Sequence, residues 1–142
     1  MTIPIHMQKL IETFEFLSNW EDRYTYVIDL GRKLEPLDPK FMRDEFRVQG
    51  CTSKVWLVPQ IKPGDEDHMY FLGDSDASIV KGLVAILLQV YSGRTSNEIL
   101  NINIKAIFSK LGMEGHITPI RRNGFYSMVK IIQAMAKNYQ PH

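Results

Sequence analysis

The chain has 142 residues, a length that favours one domain (residues 1–142) whose single core needs no metal or disulfide staple. Hydrophobic residues make up 44% and charged residues 23%, the balance of an ordinary globular chain. The formal net charge of +1, from 17 basic and 16 acidic side chains, argues against a nucleic-acid binder, which carries a basic face to neutralise phosphates.

One cysteine, Cys51, cannot form an internal disulfide and fits a reducing compartment. It also excludes multi-cysteine zinc sites and iron–sulfur ligation within one chain. The run Met1-Thr2-Ile3-Pro4-Ile5-His6 lacks the basic-then-apolar pattern of a signal peptide. The longest nearly uncharged stretch, Gly82 to Gly93, falls short of the about 20 apolar residues that span a bilayer. A cytoplasmic protein without membrane contact is expected.

Leu10, Ile11, Phe14 and Leu17 recur at helical spacing and predict a first helix. Asn19 is placed to cap a second, with Glu21 and Asp22 in its first turn and Trp20, Tyr24, Val27 and Ile28 as its apolar stripe. Gly31 and Pro36 are read as its end and the loop after it. The period then changes. Phe46-Arg47-Val48 reads as a short strand, Val55-Trp56-Leu57-Val58 as a better one, and His68-Met69-Tyr70-Phe71-Leu72 as its antiparallel return after a polar turn at 62–67. Pro59 points to a sheet edge or a bulge.

Gly73-Asp74-Ser75-Asp76 is expected to end the sheet, with Ser75 or Asp76 capping a long helix. From Ile79 to Tyr91 that helix is apolar almost all round, the mark of a central, buried one, and Gly93 ends it. Thr95-Ser96-Asn97-Glu98 has the form of a capping box for a short helix. Ile104, Ile107, Phe108 and Leu111 predict another. A last helix is expected after Gly124, presenting Phe125, Met128, Val129, Ile132 and Met135. Helices, then a small antiparallel sheet of about three strands, then helices make an α+β layer architecture.

Cys51 lies in Val48-Gln49-Gly50-Cys51-Thr52-Ser53-Lys54-Val55-Trp56, at a turn between strand-like pieces. Gly50 permits backbone angles that other residues resist. Thr52 and Ser53 offer hydroxyl donors, and Lys54 is close enough in sequence to favour the thiolate, the nucleophilic form. A lone cysteine is also a common small core residue, so reactive thiol and core filler both stand at this point. None of His6, His68, His116 and His142 sits at metal-ligand spacing from another or from Cys51, and no metal site is expected. His116 is the one histidine to consider as a base for a cysteine-dependent enzyme. Gly73 to Ser78 lacks the ending of a phosphate loop, and its acids would repel phosphate. Arg121 and Arg122 precede the last helix, as a solvated entry or as contacts for an acidic partner or a persulfide.

Three separated blocks resemble one family. The first is Asn19-Trp20-Glu21-Asp22-Arg23-Tyr24 with Ile28-Asp29-Leu30-Gly31. The second, the sharpest, is Val48 to Trp56. The third starts at Gly73-Asp74-Ser75-Asp76-Ala77, runs into Ile79-Val80-Lys81-Gly82-Leu83, and closes on Thr118-Pro119-Ile120-Arg121 with Gly124 and Met128. Together they resemble SufE, the sulfur acceptor that serves the cysteine desulfurase SufS in iron–sulfur cluster assembly. The resemblance implies the fold shared by SufE and the IscU-type scaffolds. It implies that Cys51 is the persulfide-forming cysteine and that Gly50, Ser53 and Trp56 shape its loop. Asp74 and Arg121 fall in matching blocks and are expected to line the site or dock the desulfurase. Sulfur would pass from the SufS-type desulfurase to Cys51 and on to a SufBCD-type scaffold. The pyridoxal phosphate would belong to the desulfurase, with no cofactor on this chain. The rival readings are a stand-alone cysteine-dependent hydrolase or thiol peroxidase, and a SufE paralogue serving another desulfurase.

Overall fold

The computed structural model describes residues 4–139; His142 and the first three residues of the N-terminal run lie outside them. Helix α1 spans Gln8–Phe16 and α2 Trp20–Arg32. Asn19 caps α2 as expected, its side-chain oxygen accepting from the Asp22 N–H at 2.9 Å. The Arg23 Nε–H donates to the carbonyls of Phe14 (3.0 Å) and Leu17 (2.8 Å), which ties the end of α1 to the start of α2.

Strand β1 is Val55–Gln60 and β2 His68–Ser75, paired antiparallel from Val55 opposite Ser75 to Gln60 opposite Tyr70. A third strand, β3, is Arg94–Thr95, pairing with His68 and Met69 to give the order β1-β2-β3. Pro59 lies on the edge strand, where its missing N–H costs no inner ladder bond. Helix α3 spans Ser78–Tyr91, α4 Ser96–Asn101, α5 Ile104–Lys110 and α6 Pro119–Asn138. The capping box predicted at Thr95 and Glu98 forms in both directions, at 2.9 and 3.2 Å.

Helix α3 is the centre of the core. It buries residues on every side, from Ile79 to Tyr91, and packs against β2 on one side and α2 on the other. Both contacts depend on missing side chains. A Cβ on Gly73 of β2 would come 2.7 Å from Val84 Cγ1. A Cβ on Gly82 would overlap the Val27 carbonyl oxygen, and one on Gly31 would come 2.7 Å from the Gly82 nitrogen. The backbones of α2 and α3 therefore touch, at a spacing only glycine permits.

Several sequence expectations need correction. Phe46-Arg47-Val48 is not a strand: residues 44–46 form a 3-10 turn, and Arg47 makes only an isolated bridge to Trp56. The third strand comes instead from Arg94 and Thr95, too short to show a period. Ser75 and Asp76 do not cap α3, because the ladder with β1 continues through Ser75 and Asp76 bonds back to Lys54; Ala77 holds the cap position. Gly31 is the last residue but one of α2, so that helix ends within a residue of the expected place, and Gly82 packs closely against it. Gly124 does not precede the last helix. Thr118 caps it, accepting from the Arg121 N–H at 3.3 Å, and Pro119 opens it, so Gly124 lies within.

Replacing Gly82 by Ala should cost about 3 kcal/mol of stability, because the added methyl must push two backbones apart in a packed core. Urea unfolding measures this; a loss below about 0.5 kcal/mol would contradict the close approach.

Candidate functional site

Cys51 is half-buried on the loop that leads into β1, and α6 forms the floor beneath it. Two residues on one face of α6, Gly124 and Ser127, receive the loop. Gly50 takes φ +89, in the left-handed region, and a Cβ there would come 2.7 Å from Ser127 Oγ. It is glycine for two reasons, conformation and space. One residue on, the Cys51 thiol donates to the Gly124 carbonyl at 3.5 Å. A Cβ on Gly124 would lie 3.3 Å from that sulfur, a tight contact that the thiol would have to yield to by a few tenths of an ångström. The far end of the loop is held by Asp76. Its side chain accepts from the Lys54 N–H at 2.9 Å, and its own N–H donates to the Lys54 carbonyl at 3.2 Å.

The sulfur faces a narrow cleft walled by Val80, Ile120, Phe125 and Met128, with Thr52, Ser53 and Arg121 at its polar edge. Its free volume is about 30 Å³, room for one water-sized or sulfur-sized atom. That is far below the about 300–1,000 Å³ of pockets that enclose a small-molecule substrate. Burial pushes the Cys51 thiol above the usual cysteine range, and among the described residues no cation offsets it. Lys54, expected to favour the thiolate, has its side chain in solvent and contributes its backbone to the loop instead.

Of the residues singled out by sequence, Ser53 and Arg121 share the cleft with Cys51, and Gly50 forms the turn before it. Trp56 and Asp74 stand opposite each other in the β1–β2 ladder, outside the cleft lining. Asp74 is buried, accepts the Ser75 N–H at 2.7 Å and pairs with Lys81 at 3.3 Å. The histidines are elsewhere. His116 stacks on Trp20 with ring centroids 4.9 Å apart, His68 bonds Asp65 at 2.6 Å, and His6 bonds the Val90 carbonyl at 3.2 Å. Among the described residues no group of three or more His, Cys, Asp or Glu is arranged to hold a metal.

Sequence reasoning gave no site role to the floor, Gly124, or to the apolar walls Val80, Ile120, Phe125 and Met128. Gly124 was legible as a glycine within an apolar helical pattern, which marks a close approach when it is not a stop. Val80 stands in the third family-like block, but its local pattern marks only a place on an apolar helix. Replacing Gly124 by Ala should displace the loop, expose the thiol and lower its pKa toward that of a free cysteine. Iodoacetamide alkylation near pH 8 should then run about threefold faster or more, while the helix itself gains propensity. An unchanged rate would show that the Gly124 contact does not set the reactivity of Cys51.

Known proteins share the sequence and the fold of this chain. The family model described as a SufE, Fe-S metabolism associated domain matches residues 8–136. An uncharacterized SufE-like protein of Rhizobium meliloti (strain 1021) is 43% identical over 136 residues, covering 95% of this chain and 97% of that protein. A second uncharacterized SufE-like protein, from Rhizobium etli, is 47% identical over 133 residues, covering 92% and 89%. The solution structure of a hypothetical protein from Thermus thermophilus superposes with a TM-score of 0.75 at 19% identity, covering 96% of each chain, a likeness of fold. A lone thiol held over a helix glycine, in a chain matched almost end to end by this model, leads to one assignment: the chain belongs to the SufE family of domains associated with Fe–S metabolism.

Proposed function

We propose that this protein is a sulfur acceptor and carrier that takes persulfide sulfur from a SufS-type cysteine desulfurase onto Cys51. The observation that carries the reading is the small, mainly apolar cleft at Cys51, about 30 Å³, in which an added sulfur atom fits beside the thiol. The SufE family membership supports it.

The step is a thiol displacement. The Cys51 thiol first loses its proton to solvent or to a base on the partner. The Cys51 thiolate then attacks the outer sulfur of the desulfurase persulfide. A new S–S bond forms at Cys51, the old one breaks, and the desulfurase thiolate leaves with the electron pair and takes up a proton. The balance is redox-neutral and needs no cofactor on this chain; pyridoxal phosphate works in the partner, before this step. Clearing the partner's persulfide frees the desulfurase for another turnover, so the protein is also an activator. The acceptor that follows is a SufBCD-type scaffold.

A thiol that donates to a helix carbonyl, with a raised pKa, is sheltered and slow. Transfer therefore requires the loop to lift from Gly124 when the partner docks. Arg121 and Ile120, both exposed beside the cleft, and the Lys54 side chain are the contacts offered to that partner. The stand-alone enzyme reading has less support. A cysteine hydrolase needs a base beside the thiol, and each described histidine is engaged elsewhere.

With desulfurase, cysteine and pyridoxal phosphate, the wild-type protein should gain about 32 Da, one sulfur atom, on Cys51. Cys51→Ser should fold normally, gain nothing and fail to stimulate the desulfurase. No mass gain on wild type, or the same gain on the variant, would overturn the reading. Amide exchange across Gln49 to Lys54 should speed up when the desulfurase is added, and unchanged exchange would count against loop lifting.

A further inference from the structure

We propose that the cleft at the C-terminal end of α3 is a second binding site, for a small zwitterion of the α-amino-acid class. It is independent of the sulfur-carrier reading. Val80, near the start of α3, faces Cys51, whereas Val90, about 15 Å further along the helix, lies beside this second cleft. Its volume is about 440 Å³, in the range of small-molecule sites.

Arg94 is the central group. Its backbone is fixed in β3 opposite Met69, between Gly93 at φ 80 and the Thr95 capping box. Its Nε is buried and has no hydrogen-bond partner among the described residues, and none of the ion pairs found there involves it. Arg94 itself lines the cleft, and a carboxylate matches the fork of a guanidinium presented there. Glu98 supplies the opposite charge. One of its oxygens accepts the Thr95 N–H at 2.9 Å, and that bond, with the Arg94 charge, holds its carboxyl below the usual range. Its carboxylate lines the cleft near Arg94 and is the group that would accept from an ammonium.

His6 adds no charge near neutral pH. Its Nε2 donates to the Val90 carbonyl, and burial together with Arg94 pushes its pKa down. Asn97 contributes an amide, and Ile102 with the 88% exposed Ile5 forms an apolar wall. One cation, one anion and an apolar wall suit a ligand that carries both charges and a hydrocarbon side chain. They do not suit a polyanion, which Glu98 would repel, or a simple cation, which Arg94 would repel.

Titration of the isotope-labelled full chain with leucine, isocaproate and isoamylamine at fixed pH and ionic strength tests this. The second ligand lacks the ammonium and the third the carboxylate. Leucine should give saturable shifts of the Arg94 Nε–H and the Asn97 side-chain amide, and each analogue should bind about tenfold more weakly or worse. Arg94→Gln should abolish the leucine response. Glu98→Gln, which keeps a capping-box residue, should weaken leucine about tenfold and spare isocaproate. If Arg94→Gln does not fold, Asn97→Glu at an exposed position should weaken leucine by placing a second carboxylate on the wall. No saturable response to leucine, equal binding of isocaproate, or a response unchanged in these variants would overturn the proposal.

Discussion

Helix α3 meets α2 at a distance that only glycine allows, and the rest of the molecule is arranged around that contact. Gly82 lies against the Val27 carbonyl, and Gly31 lies against the Gly82 nitrogen. With α2 seated this closely, α3 is covered on one side and turns its other side to β2, where Gly73 admits Val84. A helix apolar on all faces has no solvent side and must be enclosed. The sheet, α2 and α6 enclose it. Because interiors pack at near-crystal density, a shift of α3 would be felt at both of its ends. One end carries Val80 beside Cys51, and the other carries Val90, whose carbonyl accepts from His6.

The same device recurs at the thiol. Glycine backbone again stands where a side chain would obstruct, here Gly124 under Cys51 and Gly50 over Ser127. The result is a cysteine that is neither core filler nor a free surface thiol. It packs against the core yet borders a cleft open to one more atom. Burial raises its pKa, which protects it in the resting state. In a carrier, low reactivity at rest and high reactivity on docking are both useful, and a loop pinned at its ends by Gly50 and Asp76 can supply the difference.

Much of the fold was legible from residue types and spacing. The Asn19 cap, the Thr95–Glu98 box and the buried character of α3 all follow from local chemistry, and the structure contains them. The errors share a cause. Ser75 and Asp76 look like helix caps, but strand pairing with β1 takes Ser75 first and the Cys51 loop takes Asp76. Gly124 looks like the residue before a helix, but it lies inside α6, where the Cys51 loop rests on it. Arg94 and Thr95 form a strand only because β2 lies beside them.

Cys51 was marked out by sequence alone: a single thiol, after a glycine, at a turn before a strand, within blocks that resemble one family. These are facts of residue type and order, which need no partner in space. The tertiary structure decided what the thiol experiences. Its hydrogen bond goes to a carbonyl 73 positions away, its cleft has room for one atom, and its pKa is set by burial and not by the neighbouring Lys54. Such properties depend on which distant backbone the loop rests upon. No local pattern records that a glycine in the last helix will lie beneath the cysteine, because the contact exists only once α3 has brought the two together.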